Sequence, residues 1–237
     1  MSESRLRPLL AGVSPWWMLN PGGASVDVVD LLARAGVRSL FIDCERTAVG
    51  IESVAPLTRC AHSHGMAVVL RSESAQAHTL VRYLDRGVDG IVVPHTETVD
   101  ELEQIAEVVR YITRGRREQV VAIAQVESKA AVEHIEALAA SDAVDAFLIG
   151  PNDLAHSMGH AGDTTHPDVV AAVAHASARL QAAGRCWGLP ATSATAASWA
   201  GQGARFLYGT LDQIVKAGYG PMAAAVAAAA TPRREPQ

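Results

Sequence analysis

Val121–Asp153 reads VAIAQVESKAAVEHIEALAASDAVDAFLIGPND. Two apolar runs, each ending in a carboxylate, flank one amphipathic segment. Val120–Val126 is β-branched and alanine-rich, too short for a helix and free of breakers, so it reads as a buried strand. Glu127 follows directly. Ser128 is placed to cap a helix in which Val132, Ile135 and Ala139 recur at helical spacing. A second strand, Val144–Ile149, runs into Gly150-Pro151-Asn152-Asp153. Parallel strands joined by a helix end on the same edge of a sheet. Glu127 and Asp153 are therefore expected to face one site. Neither has an obvious cationic partner, and two such carboxylates suggest a hard divalent cation held by oxygen. A simpler reading stands beside this one, because a carboxylate after a strand also caps the next helix.

The wider chain supplies the architecture. Leu9–Val13 is a candidate first strand, followed by Ser14-Pro15-Trp16-Trp17 and a Pro-Gly-Gly turn. Trp16 is a candidate for the mouth of a site, or for packing beneath a loop. Ser25 can cap a helix stopped by Gly36. Ser39–Ile42 delivers the polar cluster Asp43-Cys44-Glu45-Arg46. A helix from near Ser53 would hold Pro56 in its first turn. Met66–Leu70 is the third strand, with Arg71 at its end. Gly90–Val93 is the fourth, ending in Pro94-His95. Thr98-Val99-Asp100-Glu101 fits a capping box. His166-Pro167 opens a helix that stops at Gly184. Cys186–Leu189 and Phe206–Tyr208 are the last strands, and a final helix runs from Asp212. Eight strand–helix units, about 30 residues each, predict an α/β protein of the (β/α)8 TIM-barrel type. A doubly wound open sheet is the runner-up, and no G-x-G-x-x-G follows the first strand.

With 237 residues and 49% hydrophobic content, the chain suits one barrel domain over 1–230 with a flexible tail over 231–237. A net charge of −5 argues against a nucleic-acid partner. No apolar run reaches membrane-spanning length. The first residues, MSESRLRPLL, lack a signal-peptide core. Three cysteines without CxxC spacing suit reduced thiols, so a cytoplasmic protein is expected.

The polar residues Asp43, Glu45, Arg46, Arg71, His95, Gln125, Glu127 and Asp153 all fall at or near C-terminal strand ends. That edge is where barrels build active sites. Cys44 reads as a small packing residue. His62, His64, His134 and His175 read as surface groups within helices. His156 and His160 lie near the expected site in sequence.

In order along the chain, Phe41-Ile42-Asp43-Cys44-Glu45, Val69-Leu70-Arg71, Ile91-Val92-Val93-Pro94-His95, Gln125-Val126-Glu127-Ser128 and Gly150-Pro151-Asn152-Asp153-Leu154 with Ser157-Met158-Gly159 resemble the metal-dependent HpcH/HpaI aldolases. These are the 4-hydroxy-2-oxoheptanedioate aldolase type of the pyruvate/phosphoenolpyruvate barrel superfamily. His166-Pro167 and Gly209-Thr210-Leu211-Asp212 match more weakly. The resemblance implies Glu127 and Asp153 as metal ligands for Mg²⁺, Mn²⁺ or Co²⁺. It implies Arg71 as the group that contacts a 2-oxo acid and stabilises enolate charge. Gln125, Pro151 and Asn152 are implied as substrate-side residues. Pro94-His95 looks like the loop of macrophomate-synthase-like members, where the histidine helps hold substrate. The implied reaction is carbon–carbon bond formation or cleavage between a pyruvate-type enolate and an aldehyde or other carbonyl partner. A homo-oligomer, trimeric or hexameric, is implied too.

Two departures bear on the chemistry. Arg46 stands where the family has a histidine that moves protons, and a guanidinium is no base near neutral pH. The base must then be a metal-bound water, His95 or Glu45, or the step needs none, as in 2-oxo-acid decarboxylation. A citrate-synthase-like condensation and a non-catalytic carboxylate-binding barrel are the other readings. The segment Tyr111–Val120 is also shorter than in the family, which predicts a more open mouth.

Overall fold

Eight parallel strands close on themselves in sequence order. The computed structural model describes residues 3–230, without the side chains of 229 and 230, so the tail expected over 231–237 lies outside the described residues. The strands are β1 (Trp16–Asn20), β2 (Ser39–Asp43), β3 (Ala67–Arg71), β4 (Gly90–Val93), β5 (Val121–Val126), β6 (Ala146–Ile149), β7 (Cys186–Pro190) and β8 (Phe206–Thr210). The ring shuts where β1 pairs β8, from Trp16 opposite Phe206 to Asn20 opposite Thr210. This is the (β/α)8 barrel that the sequence predicts.

One expectation is overturned at the start. Leu9–Val13 is not a strand; Arg7–Ala11 forms a short helix, α1, with Pro8 in its first turn. Proline's fixed φ suits that position. The strand comes five residues later, in the aromatic run before the Pro-Gly-Gly turn. The residues leading into α1, with its first residue Arg7, plug the bottom of the ring. Leu6 is fully buried among the inward side chains, the Ser4 hydroxyl donates to the Asp89 carbonyl, and Arg7 pairs with Asp145 at 2.7 Å.

Helices cover the outside: α2 (Val26–Arg34), α3 (Ile51–Ser63), α4 (Ala77–Leu84) and α5 (Val99–Thr113), then α6 (Lys129–Glu133) and α7 (Ile135–Ala140). Next come α8 (Pro151–Ser157), α9 (Pro167–Ala182), α10 (Ala196–Gly201) and α11 (Leu211–Ala230). Ser25 caps α2, and the Thr98/Glu101 box caps α5. Gly36, expected to stop α2, sits at φ 86°, a conformation that costs glycine no steric penalty. Two helices differ from expectation. Gly50 rather than Ser53 precedes α3, so Pro56 lies inside the helix rather than in its first turn. The helix after Ser128 breaks at His134, whose Nδ1 lies 2.9 Å from the Glu97 carbonyl oxygen. His62 is no surface group, because its Nε2 is 2.7 Å from buried Asp89.

Side chains alternate across each strand. Met18, Phe41, Val69, Ile123, Leu148 and Phe206 point inward and fill the lower barrel. Their neighbours Leu19, Leu40, Val68 and Phe147 pack outward under the helices. Where β7 meets β8, a Cβ on Gly188 would lie 2.1 Å from the Phe206 carbonyl oxygen. Gly188→Ala is therefore expected to lower the melting temperature by roughly 5–10 °C through overpacking. A thermal melt unchanged within about 1 °C would show that the strands can spread at this point.

Candidate active site at the barrel mouth

Two residues beyond each inward core residue, the alternation returns to the interior at the C-terminal mouth. Met18 leads to Asn20, Phe41 to Asp43, Val69 to Arg71, Ile123 to Gln125, Leu148 to Gly150 and Phe206 to Tyr208. The apolar layer therefore carries a polar layer, built by strand period alone.

Arg71 is fixed within it. Its Nε donates to Asp43 Oδ1 at 3.0 Å and its Nη2 to Oδ2 at 2.5 Å, while Nη1 lies 3.0 Å from Glu45 Oε2. Burial works against the guanidinium's charge, but the Asp43 hydrogen bonds and charge outweigh it and raise its pKa further. Asp43 is 2% exposed, and its Oδ1 also accepts from the backbone N–H groups of Glu45 and Arg46. One carboxylate therefore shapes the loop and holds the cation.

Glu127 is buried just beyond β5. Its Oε1 accepts from the His95 backbone N–H at 2.7 Å and lies 3.0 Å from His95 Nδ1; its Oε2 accepts from the Gln125 side-chain amide. Burial pushes its carboxyl up to about 7, and the negative charges of Glu45 and Asp153 add to this against the opposing His95 contacts. His95 holds a left-handed φ of 55° and reaches Glu45 Oε1 through Nε2 at 3.4 Å. Glu45, His95 and Glu127 each offer a ligand atom within 4.8 Å of the others.

Asp153 behaves differently from expectation. It has a cationic partner, Arg46, 107 positions away, and the two side chains meet as an ion pair. The pair was invisible in sequence because it joins the loop after β2 to the first turn of α8, which follows β6 on the opposite side of the ring. Neither carboxylate is a helix N-cap: Ser128 caps α6, and Gly150 precedes α8. The capping alternative therefore fails for both.

A cavity of about 200 Å³ opens at this mouth, walled by Arg46, Arg71, Gln125, Asn152, Asp153 and Tyr208 among others. Pro151 lines it too. Among the described residues, the buried Gln125 Oε1 has no hydrogen-bond partner. Gly150 gives the room, since a Cβ there would sit 3.0 Å from both Gln125 Nε2 and Glu127 Cβ. The donor atoms of Glu45, His95 and Glu127, within 4.8 Å of one another and beside an orphaned amide oxygen, could take a divalent cation, while Asp153 acts on Glu127 through its charge and is held by Arg46.

Trp16 does not belong here. It begins β1 and packs on Phe206 at a centroid distance of 5.6 Å, at the opposite end of the ring. Tyr208 and Asn20 were missed. Tyr208 lines the cavity, accepts from Asn20 Nδ2 at 2.9 Å and meets the Phe41 ring edge-on. Burial raises the Tyr208 pKa, so the phenol stays protonated. The signal for both residues was the two-residue step beyond Met18 and Phe206. Cys44 is buried beside Tyr83, and burial pushes its thiol up to about 11, in keeping with a packing role.

Comparison with known proteins agrees with the barrel fold. The model of the HpcH/HpaI aldolase/citrate lyase family matches residues 17–209. A hydroxypyruvate/pyruvate aldolase of Rhizorhabdus wittichii is 30% identical over 205 residues, 77% of this chain and 79% of that protein. A family protein from Burkholderia cenocepacia J2315 superposes with a TM-score of 0.83 at 28% identity, over 92% of this chain and 97% of that one. Macrophomate synthase shares the fold, with a TM-score of 0.80 at 23% identity over 95% and 89% of the two chains. A closed parallel barrel, the ordered motifs at its strand ends and a family match across most of its length together make this chain a member of the HpcH/HpaI aldolase/citrate lyase family.

Proposed function

We propose that the protein is a divalent-metal-dependent carbon–carbon lyase that makes or breaks bonds to the enolate of a pyruvate-type 2-oxo acid. The observation that carries this reading is buried Glu127, raised toward neutrality, beside the orphaned Gln125 Oε1 and close enough to Asp153 to feel its charge. Glu127 and Asp153 would hold the cation, drawn from Mg²⁺, Mn²⁺ or Co²⁺. When bound, such an ion supplies Lewis-acid stabilisation of negative charge developing on a carbonyl oxygen.

The chain's own residues do the rest. Arg71, pinned by Asp43 and Glu45, brings a preorganised positive charge to the cavity wall for that oxygen. Its two carboxylate partners keep it from reorienting as charge develops. His95 is the base we assign. Its side chain is 67% exposed, and its Nε2 and Nδ1 lie 3.4 Å from Glu45 Oε1 and 3.0 Å from Glu127 Oε1, contacts that orient the ring. Arg46, always protonated, orients Asp153 and the substrate carboxylate instead. Decarboxylation of a 2-oxo diacid is the second reading. Arg46 favours it, because that step forms the same enolate with no base.

The test is pyruvate in D₂O with and without Mn²⁺, followed by NMR. Metal-dependent loss of the methyl signal is expected. No exchange together with oxaloacetate turnover would transfer the assignment to decarboxylation. Metal and oxalate binding with neither reaction would leave a carboxylate-binding barrel.

The metal-free site should depend on pH. Glu127 stays protonated in the folded chain above its ordinary value of 4.5, up to about 7. Between those values the folded state binds the extra proton, so this group's contribution to stability is full below 4.5 and is lost as pH rises to about 7. A cation needs the carboxylate. Mn²⁺ is therefore expected to raise the melting temperature more at pH 8 than at pH 6. Equal shifts in a thermal-melt comparison would remove Glu127 from the ligand set.

A cytoplasmic homo-oligomer, trimeric or hexameric, completes the proposal. Ile214, Val215, Tyr219, Met222 and Val226 of α11 are exposed apolar side chains, which suits a contact with a second copy. Among the described residues, no helix is long and apolar enough to cross a membrane.

A further inference from the structure

A second cavity, of about 350 Å³, adjoins the first. Pro151, Asn152 and Pro190 line both, so they form a shared partition. Beyond it the space runs outward between α9 and α10, against Val170, Val173, Leu189, Ala191 and Trp199. Among the described residues, no charged side chain lines it. Two of its polar groups are engaged locally. Thr195 Oγ1 accepts from the Thr192 N–H at 3.0 Å, and Gln213 Oε1 accepts from the Thr210 N–H at 3.2 Å. The first cavity differs in kind, since it carries the guanidinium groups of Arg46 and Arg71.

We propose that the carbonyl acceptor is an uncharged aldehyde whose apolar tail lies in this second cavity, with its reactive carbon at the Asn152 partition. The proposal rests on the lyase reading above and extends it to the other substrate. In the addition direction, the methyl carbon of the 2-oxo acid gives up a proton to the base and bonds to the aldehyde carbon. The aldehyde C=O π pair moves onto its oxygen, which takes up a proton. Nothing else is consumed.

The electrostatics determine the acceptor class. A tail ending in a carboxylate would enter a wall without a cation. The guanidinium groups of the first cavity, across the partition, are already paired, Arg46 with Asp153 and Arg71 with Asp43 and Glu45. A carboxylate there gives up part of its hydration and gains no ion pair in return. An alkyl tail finds apolar walls, and each buried methylene is expected to raise kcat/KM roughly fourfold until the cavity is full.

The experiment uses the full chain with Mn²⁺ and pyruvate. Initial rates of aldol addition are compared for propanal, butanal, pentanal and 4-oxobutanoate, and methyl exchange in D₂O is recorded separately as the reading of the donor half. The expected result is a rise in kcat/KM along the alkanals, with pentanal favoured over 4-oxobutanoate by at least about tenfold. Val170→Arg and Thr192→Arg each place a cation on an exposed part of the wall, where folding is least at risk. Both are expected to move the pentanal-to-4-oxobutanoate ratio toward the acid by at least about tenfold. Preference of the parent protein for 4-oxobutanoate overturns the proposal, as does a ratio that neither variant moves. A changed oligomeric state with an unmoved ratio also overturns it, and assigns the wall to a subunit contact. If methyl exchange itself is absent, the lyase reading has failed and the acceptor assignment fails with it. Exchange without the expected aldehyde pattern sinks only the acceptor assignment.

Discussion

Glu127→Gln is expected to cut metal-dependent methyl exchange by about a thousandfold, the scale seen when a preorganised charge is removed from a developing oxyanion. The geometry makes the change more than a loss of charge. Both Glu127 oxygens accept hydrogen bonds, one from the His95 backbone and one from the Gln125 amide. A glutamine has one acceptor oxygen, so its NH₂ group must face one of those donors. The increase in melting temperature on adding Mn²⁺ should vanish in the same variant. Glu127→Asp, which keeps the charge and shortens the reach, should retain part of both signals. Exchange within tenfold of the parent in Glu127→Gln would mean that the ion, if any, is held elsewhere.

Arg71→Met is expected to damage stability and activity together. Removing the guanidinium leaves Asp43, 2% exposed, as an uncompensated buried carboxylate. Breaking a buried pair from one side costs about 3–5 kcal/mol, or a fall of roughly 10 °C in melting temperature for a chain of this size. Adding Asp43→Asn to Arg71→Met should recover much of that loss, because the stranded charge goes too. Activity should not return in the double variant, since the cation at the cavity wall is still missing. A double variant that regains exchange would show that Arg71 only balances Asp43. A single variant as stable as the parent would show that solvent reaches Asp43.

Most of the barrel was legible in the chain because strand and helix periods differ and each unit carries its own punctuation. That Glu127 and Asp153 lie at one edge was legible for the same reason: both follow apolar runs, and parallel connections bring those ends together. Three things were not. The first strand was misread because Leu9–Val13 is apolar, whereas Pro8 and the docking of Leu6 into the barrel floor favour a turn of helix there. Trp16 was misplaced with it, since a residue that opens a strand sits at the far end from the mouth. The Arg46–Asp153 contact joins residues from opposite walls, and no local pattern encodes a partner at that separation. Tyr208 and Asn20 needed the strand register before the two-residue step beyond Phe206 and Met18 could be recognised.

The plug at the barrel floor also bears on how the chain comes together. Ser4 bonds to Asp89, while Arg7 bonds to Asp145 and to the carbonyls of Arg117 and Val120, partners 85 to 138 positions away. Contacts between such distant positions carry a high loop-closure cost and form slowly. The Ser4–Arg7 segment is thus among the last to be seated, and until the middle strands have formed it has nothing to seal.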